Sequence, residues 1–388
     1  MIHNISSKIK DLALSPLQQA LALSHKPDII PFSLGMPDEN TFLIFENVEL
    51  FNATLKTKNL QYAQPSDILK EQIVALMNKK GVNCDTSEIF LTTGAQQALY
   101  ILIKLFCNAG DSVIVDRFTY PGFVQAATLQ QIKLEPVIVD SENGINIDNL
   151  EELCNKKIKP KFIYTMSSGH NPLSFSMPYE RRKQLAAFAE ANNIPIVEDD
   201  AYGFLSYDQP LPPIKAFSLD NVVYVGTFSK IVGPSLRVGW IVIPSELMPK
   251  LSIVKESIDL NTTSFSQRLI ATFLENTSIE DYCNHLNSVY KKKRDTMISA
   301  LHMYLPELKF KIPQSGFFIW GTFPFSVDTQ RLFLLALEQY GVAFIPSVSF
   351  DNFSNNKVNN ALRLSFSYCP KSLISVGVEK IKKALALL

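Results

Sequence analysis

Between residues 88 and 226 short apolar runs recur, at 88–92, 112–115, 134–139, 161–165, 195–197 and 222–226, each followed by a Gly, Asp or Ser turn and then by a helix-like stretch. That alternation predicts an α/β fold with a mostly parallel sheet buried between helices. Two of the helices can be placed. Residues 95–108 carry Ala98, Leu102, Leu105 and Phe106 at helical spacing and are expected to stop at Ala109-Gly110, where a glycine can end a helix left-handed. Residues 178–191 show an Arg/Lys face and an Ala/Leu/Phe face.

From about Asn276 the texture changes to α+β. A long charged helix through Tyr290-Lys291-Lys292-Lys293-Arg294 precedes a strand at 317–320, a helix at 329–340, strands at 342–345 and 362–365, and a closing helix from Lys371. The expected organisation is an N-terminal arm, 1–40, contributing to a small domain, a large domain at 41–275 and the small domain itself at 276–388. The basic run 291–294 is expected to be a solvated helix face.

Charge and composition narrow the partners. Lys plus Arg number 37 and Asp plus Glu number 37, so no positive excess favours nucleic acid or an anionic membrane. The five cysteines form no CxxC pair and read as buried small hydrophobes of a reducing compartment. No histidine stands at metal-ligand spacing from another His or Cys, so no metal is expected. No signal peptide is apparent, and no apolar run approaches the roughly 18 residues of a membrane span. A cytoplasmic protein is the expectation.

Four local features carry candidate chemistry. Leu91-Thr92-Thr93-Gly94-Ala95-Gln96-Gln97 turns from a strand through glycine into a helix, whose unpaired first N–H groups can hold a phosphate; taken alone, a plain strand-to-helix turn would explain it. In Ile196-Val197-Glu198-Asp199-Asp200-Ala201-Tyr202 three acids follow a buried-looking strand, at the edge where open α/β sheets bind ligands. Strand alternation turns Asp199 away from Glu198 and Asp200. One of them could pair with a cationic ring nitrogen or a metal, although turn chemistry and helix capping also account for such a cluster. The run ending Gly226-Thr227-Phe228-Ser229-Lys230 delivers a lysine flanked by hydroxyls, with Arg237 seven residues on. A desolvated lysine there has a free amine able to form an imine with an aldehyde, and Thr227, Ser229 and Arg237 could share a phosphate with the glycine turn; a lone lysine after a strand is otherwise simply solvated. Finally, Gly169-His170-Asn171-Pro172 leaves the Asn171 amide at the same edge, or is only a turn.

In this order and at these separations the features resemble the fold-type I pyridoxal-phosphate aminotransferases of class I and II, especially the 2-aminoadipate and kynurenine aminotransferase branch. The resemblance runs from about Phe32 to the C-terminus and takes in Ser33-Leu34-Gly35-Met36-Pro37, Leu60-Gln61-Tyr62, Phe118-Thr119-Tyr120-Pro121-Gly122 and Leu362-Arg363-Leu364-Ser365-Phe366-Ser367. It implies an aspartate aminotransferase-like fold, a three-layer α/β/α domain around a mostly parallel seven-stranded sheet plus a smaller α+β domain. It also implies pyridoxal 5′-phosphate, held as an aldimine by Lys230, which then moves a proton between the substrate α-carbon and the cofactor. By the same resemblance Asp199 would pair with the pyridinium nitrogen, Asn171 and Tyr202 would bond the ring hydroxyl oxygen, and Tyr120 would stack on the ring. Gly94, Ala95, Gln96, Thr227, Ser229 and Arg237 would bind the phosphate, joined by Tyr62 of a neighbouring subunit, which makes the active site shared across a homodimer. Arg363 would take the substrate α-carboxylate bidentately, beside Asn171, with Gly35 leaving room.

The chain departs from the family around the substrate pocket. The family's Asn-Pro-Thr-Gly reads Asn171-Pro172-Leu173-Ser174, its usual upstream proline is replaced around Met166-Ser167-Ser168, and the glycine-rich stretch after Tyr62 reads Ala63-Gln64-Pro65-Ser66-Asp67. A Pro-Gly pair reads Pro346-Ser347, a Gly-Gly reads Ser315-Gly316, and the N-terminal arginine is missing from Leu14-Ser15-Pro16-Leu17-Gln18. The cofactor set is intact, so the expectation is a transaminase, moving an amino group between an amino acid and a 2-oxo acid, whose substrate has changed to one without a distal carboxylate. The rival is a pyridoxal-phosphate enzyme of the same fold that eliminates, decarboxylates, oxidises or forms C–C bonds in a specialised biosynthetic pathway, since the cofactor is the electron sink in all of these. A regulator fusing a DNA-binding module to this body is disfavoured by the neutral charge and by the short stretch ahead of Gly35.

Overall fold

A computed structural model describes residues 5–10, 12, 14, 26, 28–42, 52, 54, 61–140, 142–155, 159–218, 220–351, 353 and 359–388. Its central sheet has seven strands: β1 (Ile89–Thr92), β2 (Ser112–Asp116), β3 (Lys133–Val137), β4 (Ile163–Thr165), β5 (Ile196–Asp199), β6 (Val222–Thr227) and β7 (Gly239–Val242). Their order is β1-β7-β6-β5-β4-β2-β3. All pairings are parallel except those of β7, which runs antiparallel to both β1 and β6. β7 lies outside the apolar runs read from the sequence. Residues 228–238, with a short turn at Pro234–Leu236 and no crossover helix, connect it to β6, and a connection without a crossover returns the chain antiparallel. Because β7 is reversed, the carboxyl end of β1 emerges on the same edge as those of β2, β4, β5 and β6.

Both faces of the sheet are covered, as uninterrupted apolar strands require. Val113 and Val115 belong to one buried cluster and Ile114 to another; Phe162 and Tyr164 divide from Ile163 in the same way, the period-two alternation of a strand. The helices used below are α1 (Asp67–Lys79), α2 (Ala95–Phe106), α3 (Pro121–Leu129), α4 (Tyr179–Asn192) and α5 (Ile279–Tyr304). α2 ends earlier than expected: Cys107 is already extended, and Gly110, at φ +90°, shapes the turn into β2 instead of capping the helix. α4 closes on Asn193, in left-handed conformation.

A second, antiparallel sheet is built from β8 (Lys309–Phe310), β9 (Phe318–Thr322), β10 (Ile345–Pro346) and β11 (Ala361–Ser365), in the order β8-β9-β11-β10. Ile30–Pro31 pairs in parallel with Val342–Ala343, which ties the N-terminal part of the chain to this region. The basic run on α5 is not uniformly solvated. Lys291 and Lys292 are exposed, whereas Lys293 and Arg294 are buried, Lys293 pairing with Asp38 at 2.5 Å and Arg294 donating to the Pro313 carbonyl at 2.8 Å. The helical period carries every third and fourth residue inward, so one stretch of like charges serves two faces. Residues 15–18 and Leu60, singled out in the sequence, lie outside the described residues. Among the described residues no helix is long and apolar enough to cross a membrane, and no His/Cys/Asp/Glu group could hold a metal ion. None of the five cysteines is in a disulfide.

Candidate active site

At the common carboxyl edge of the central sheet a cavity of about 330 Å³ opens towards β9 and β11. All the predicted site residues line it except Gly94 and Tyr62. Lys230 arrives just after β6 and donates from Nζ to the Gly35 carbonyl at 2.8 Å. Burial lowers the ammonium pKa to about 8, helped by the positive charges of Arg237 and Arg363 and opposed by Asp199. Gly35 is required where it stands, since a Cβ there would lie 2.4 Å from the Phe318 ring.

Asp199 ends β5. Its Oδ2 accepts from Tyr164 at 2.9 Å, and its Oδ1 is buried without a hydrogen-bond partner among the described residues. Burial raises its pKa to about 7, partly opposed by the Tyr164 hydrogen bond. As alternation required, Glu198 points elsewhere: it accepts from the Ser167 hydroxyl at 2.5 Å and from the backbone N–H groups of Ile214 and Lys215. Asp200, just past the strand, pairs with Lys80 at 2.5 Å. Tyr120 caps the N-terminus of α3, and burial pushes its phenol up to about 12. Tyr202 is buried edge-on against Phe317 and Phe318, and desolvation likewise raises its pKa.

The phosphate-type features converge from three segments. Gly94, at φ +78°, is the N-cap of α2, and a Cβ on it would lie 2.3 Å from Arg237 Nη2. Only glycine lets the turn and the guanidinium approach so closely. Arg237 Nη1 donates to Ser229 Oγ at 3.2 Å, and Thr227 Oγ1 donates to Ser229 Oγ at 2.9 Å. A cation, two hydroxyls and the open N–H groups of a helix start therefore share one corner.

At the other end Arg363, central in β11 and fully buried, donates to Asn171 Oδ1 at 2.5 Å and to the Ser33 carbonyl, with its guanidinium 4.1 Å from the Phe318 ring centroid. Its Nε has no hydrogen-bond partner among the described residues. Burial lowers its pKa to about 10. The loop carrying Asn171 turns without the family's glycine. Ser174 itself takes φ +66°, its N–H bonding the His170 carbonyl at 2.6 Å and its Oγ the Pro172 carbonyl at 3.2 Å. His170 bonds Asp116 through Nε2 at 2.9 Å and stacks on Phe175.

Tyr62 is 89% exposed in the single chain, away from the cavity. Sequence reasoning overlooked Tyr164 and Phe318, and gave no wall role to Leu34, Met36, Met166 and Ala201, which it met only inside motifs. Tyr164 could have been found from strand pairing, because it lies opposite Val197 and so shares a face with Asp199.

Residues 28–381 match the family model of aminotransferase class I and II. The chain belongs to that family. Aromatic-amino-acid aminotransferase 1 of Thermococcus litoralis is 32% identical to this aminotransferase across 98% of this chain and 93% of the relative. The 2-aminoadipate transaminase of Thermus thermophilus is 31% identical across 96% and 94%. Kynurenine aminotransferase of Pyrococcus horikoshii, solved in complex with PMP, superposes with a TM-score of 0.89 at 31% identity, covering 99% of this chain and 97% of that one. The fold is aspartate aminotransferase-like, and the protein is a pyridoxal-phosphate-dependent transferase of amino groups. The family model and these relatives support transamination, and nothing in them favours the rival elimination, decarboxylation, oxidation or C–C bond-forming reactions. The residues present fit the cofactor. Asp199 Oδ1 is a buried acceptor still lacking a donor, Arg363 Nε a buried donor still lacking an acceptor, and the Gly94–Arg237 corner is shaped for an anion.

Proposed function

We propose that this aminotransferase acts on amino acids with apolar or aromatic side chains, in a homodimeric, cytoplasmic enzyme of amino-acid biosynthesis. Lys230 attaches the cofactor and afterwards carries the proton to and from the substrate α-carbon, its lowered pKa leaving a share of the amine neutral near pH 8. Asp199 accepts the ring N–H through Oδ1, Tyr120 covers a ring face, and Asn171 and Tyr202 hydrogen-bond the ring oxygen. Gly94, Ala95, Gln96, Thr227, Ser229 and Arg237 hold the phosphate, completed by Tyr62 from a second subunit. Bound there, pyridoxal phosphate supplies the electron sink that makes the α-proton acidic. Arg363 holds the α-carboxylate beside Asn171 and Gly35. The boundaries 1–40, 41–275 and 276–388 serve this reading, with the cavity between the two larger parts.

The observation that carries the assignment is the buried, partnerless Oδ1 of Asp199 in the cavity into which Lys230 also projects. For the substrate, the support is the wall of Leu34, Met36, Met166 and Phe318, and the presence of only Lys230, Arg237 and Arg363 as cations among the described lining residues. With Lys230 and Arg237 engaged by the cofactor, Arg363 is left for one carboxylate. A panel of amino acids, followed by conversion of the cofactor to pyridoxamine phosphate in a single turnover, tests this: phenylalanine, tyrosine or leucine should outrun 2-aminoadipate and glutamate. Equal or faster turnover of the dicarboxylic substrates would sink the substrate assignment.

A further inference from the structure

We propose that Lys80, at the C-terminal end of α1, is a positioning residue for the cofactor: by offsetting the charge of Asp200 it favours the ionised form of Asp199, the form that holds the ring N–H. This rests on the reading of Asp199 as the partner of the ring nitrogen.

Three consecutive acids are buried, with Glu198, Asp199 and Asp200 exposed by 0%, 2% and 2%. Neighbouring carboxylates in a poorly solvated setting disfavour one another's ionisation, so each needs its own compensation. Glu198 has a hydroxyl, two backbone N–H groups and the nearby Arg182. Asp200 has Lys80 Nζ at 2.5 Å and the Tyr224 hydroxyl at 2.9 Å, both on Oδ2. Lys80 is drawn inside for this purpose: its side chain is 12% exposed, and Nζ lies 4.4 Å from the Phe204 ring centroid and 5.6 Å from that of Tyr224. The backbone makes room as well. A Cβ on Gly203 would fall 1.9 Å from Asp200 Oδ2 and 2.3 Å from Lys80 Nζ, so a glycine is needed beside the pair. With Lys80 offsetting the charge of Asp200, Asp199 accepts from Tyr164 through Oδ2 and presents Oδ1 without a hydrogen-bond partner among the described residues. Without Lys80, the charge on Asp200 would favour a proton on Asp199, and a neutral carboxyl lacks the negative charge that holds the ring nitrogen protonated.

The groups facing these acids are few. Tyr164, Asp200, the Ala201 N–H, Lys230, Tyr120, Tyr202 and Tyr224 act on Asp199; Lys80, Tyr224, Glu198 and Arg182 act on Asp200; Cys283 of α5 lies near Lys80. The test is the dissociation constant of pyridoxal phosphate from the apo protein as a function of pH, in the wild type and in Lys80→Met, Asp200→Asn, the double variant and Asp199→Ala. The cofactor's own titrations are common to all of them. Lys80→Met should weaken binding about tenfold at neutral pH and move the acid limb of the profile up by about one pH unit. Asp200→Asn, which leaves Lys80 unopposed, should move it down. The double variant should return to within about threefold of the wild type, the rescue expected of a charge effect and not of lost packing. Unmoved limbs, shifts of both single variants in the same direction, or a double variant no tighter than Lys80→Met would each overturn the proposal. Should Lys80→Met fail to fold, as judged by its melting transition, the sign of the Asp200→Asn shift decides alone. Undiminished binding by Asp199→Ala would instead overturn the reading of Asp199 itself.

Discussion

Lys230 shows how a single residue acquires its chemistry. A lysine at the end of a buried strand is visible in the sequence, but its lowered pKa depends on burial beneath Gly35 and on Arg237 and Arg363, which arrive from other parts of the chain. Two outcomes follow at this scale. Lys230→Ala should lose both turnover and the visible absorbance of the bound cofactor, and retained catalysis would refute its role. In the intact protein the amine is protonated below its pKa and neutral above it. Capture of pyridoxal phosphate by the apo form, followed by absorbance in a stopped-flow mixer, should therefore quicken as pH rises and reach half its limit near pH 8. A midpoint near 10.5, the value of an unperturbed lysine, would show that the amine is not desolvated.

At the scale of elements, the sequence identified the runs that became β1 to β6 because an uninterrupted apolar strand leaves a local mark. β7 is not among those runs, although Trp240-Ile241-Val242-Ile243 is itself uninterrupted and apolar and follows a glycine- and proline-containing turn. The pairing of β6 with β7 brings Gly226 opposite Trp240, and a Cβ on Gly226 would lie 2.3 Å from the indole. Gly226→Ala should accordingly cost about 1–3 kcal/mol in urea unfolding through overpacking. The 171–174 turn was expected to lack its glycine. The structure keeps the turn by forcing Ser174 to φ +66°, a conformation that costs non-glycine residues roughly 1–3 kcal/mol. Ser174→Gly is expected to preserve activity and leave stability equal or higher by up to about 1 kcal/mol, whereas Ser174→Val should lower it, both read by the same unfolding curves.

Across the whole molecule the cavity draws on the N-terminal Leu34–Met36 stretch, the central sheet and the second sheet at once, which is why cofactor and stability should be linked. A ligand at about 100 times its dissociation constant adds roughly 2.7 kcal/mol if it binds only the folded state, so the melting temperature should climb with pyridoxal phosphate concentration and not with pyridoxal lacking the phosphate. The exposure of Tyr62 in the single chain supports a second-subunit role, and mixing Tyr62→Ala with Lys230→Ala protein should restore tight-binding sites that neither variant has alone; no recovery in verified hybrids would remove Tyr62 from the site. By itself, the sequence determined the α/β class, the order of the motifs and the residue types able to hold the cofactor, because apolar periodicity, glycine turns and motif spacing are properties of contiguous chain. The tertiary structure alone decided that Tyr164 braces Asp199, that Gly94 admits Arg237, that Lys80 meets Asp200 and that half of a basic run is buried. Those outcomes depend on strand register, desolvation and contacts between residues more than a hundred positions apart, none of which a linear pattern records.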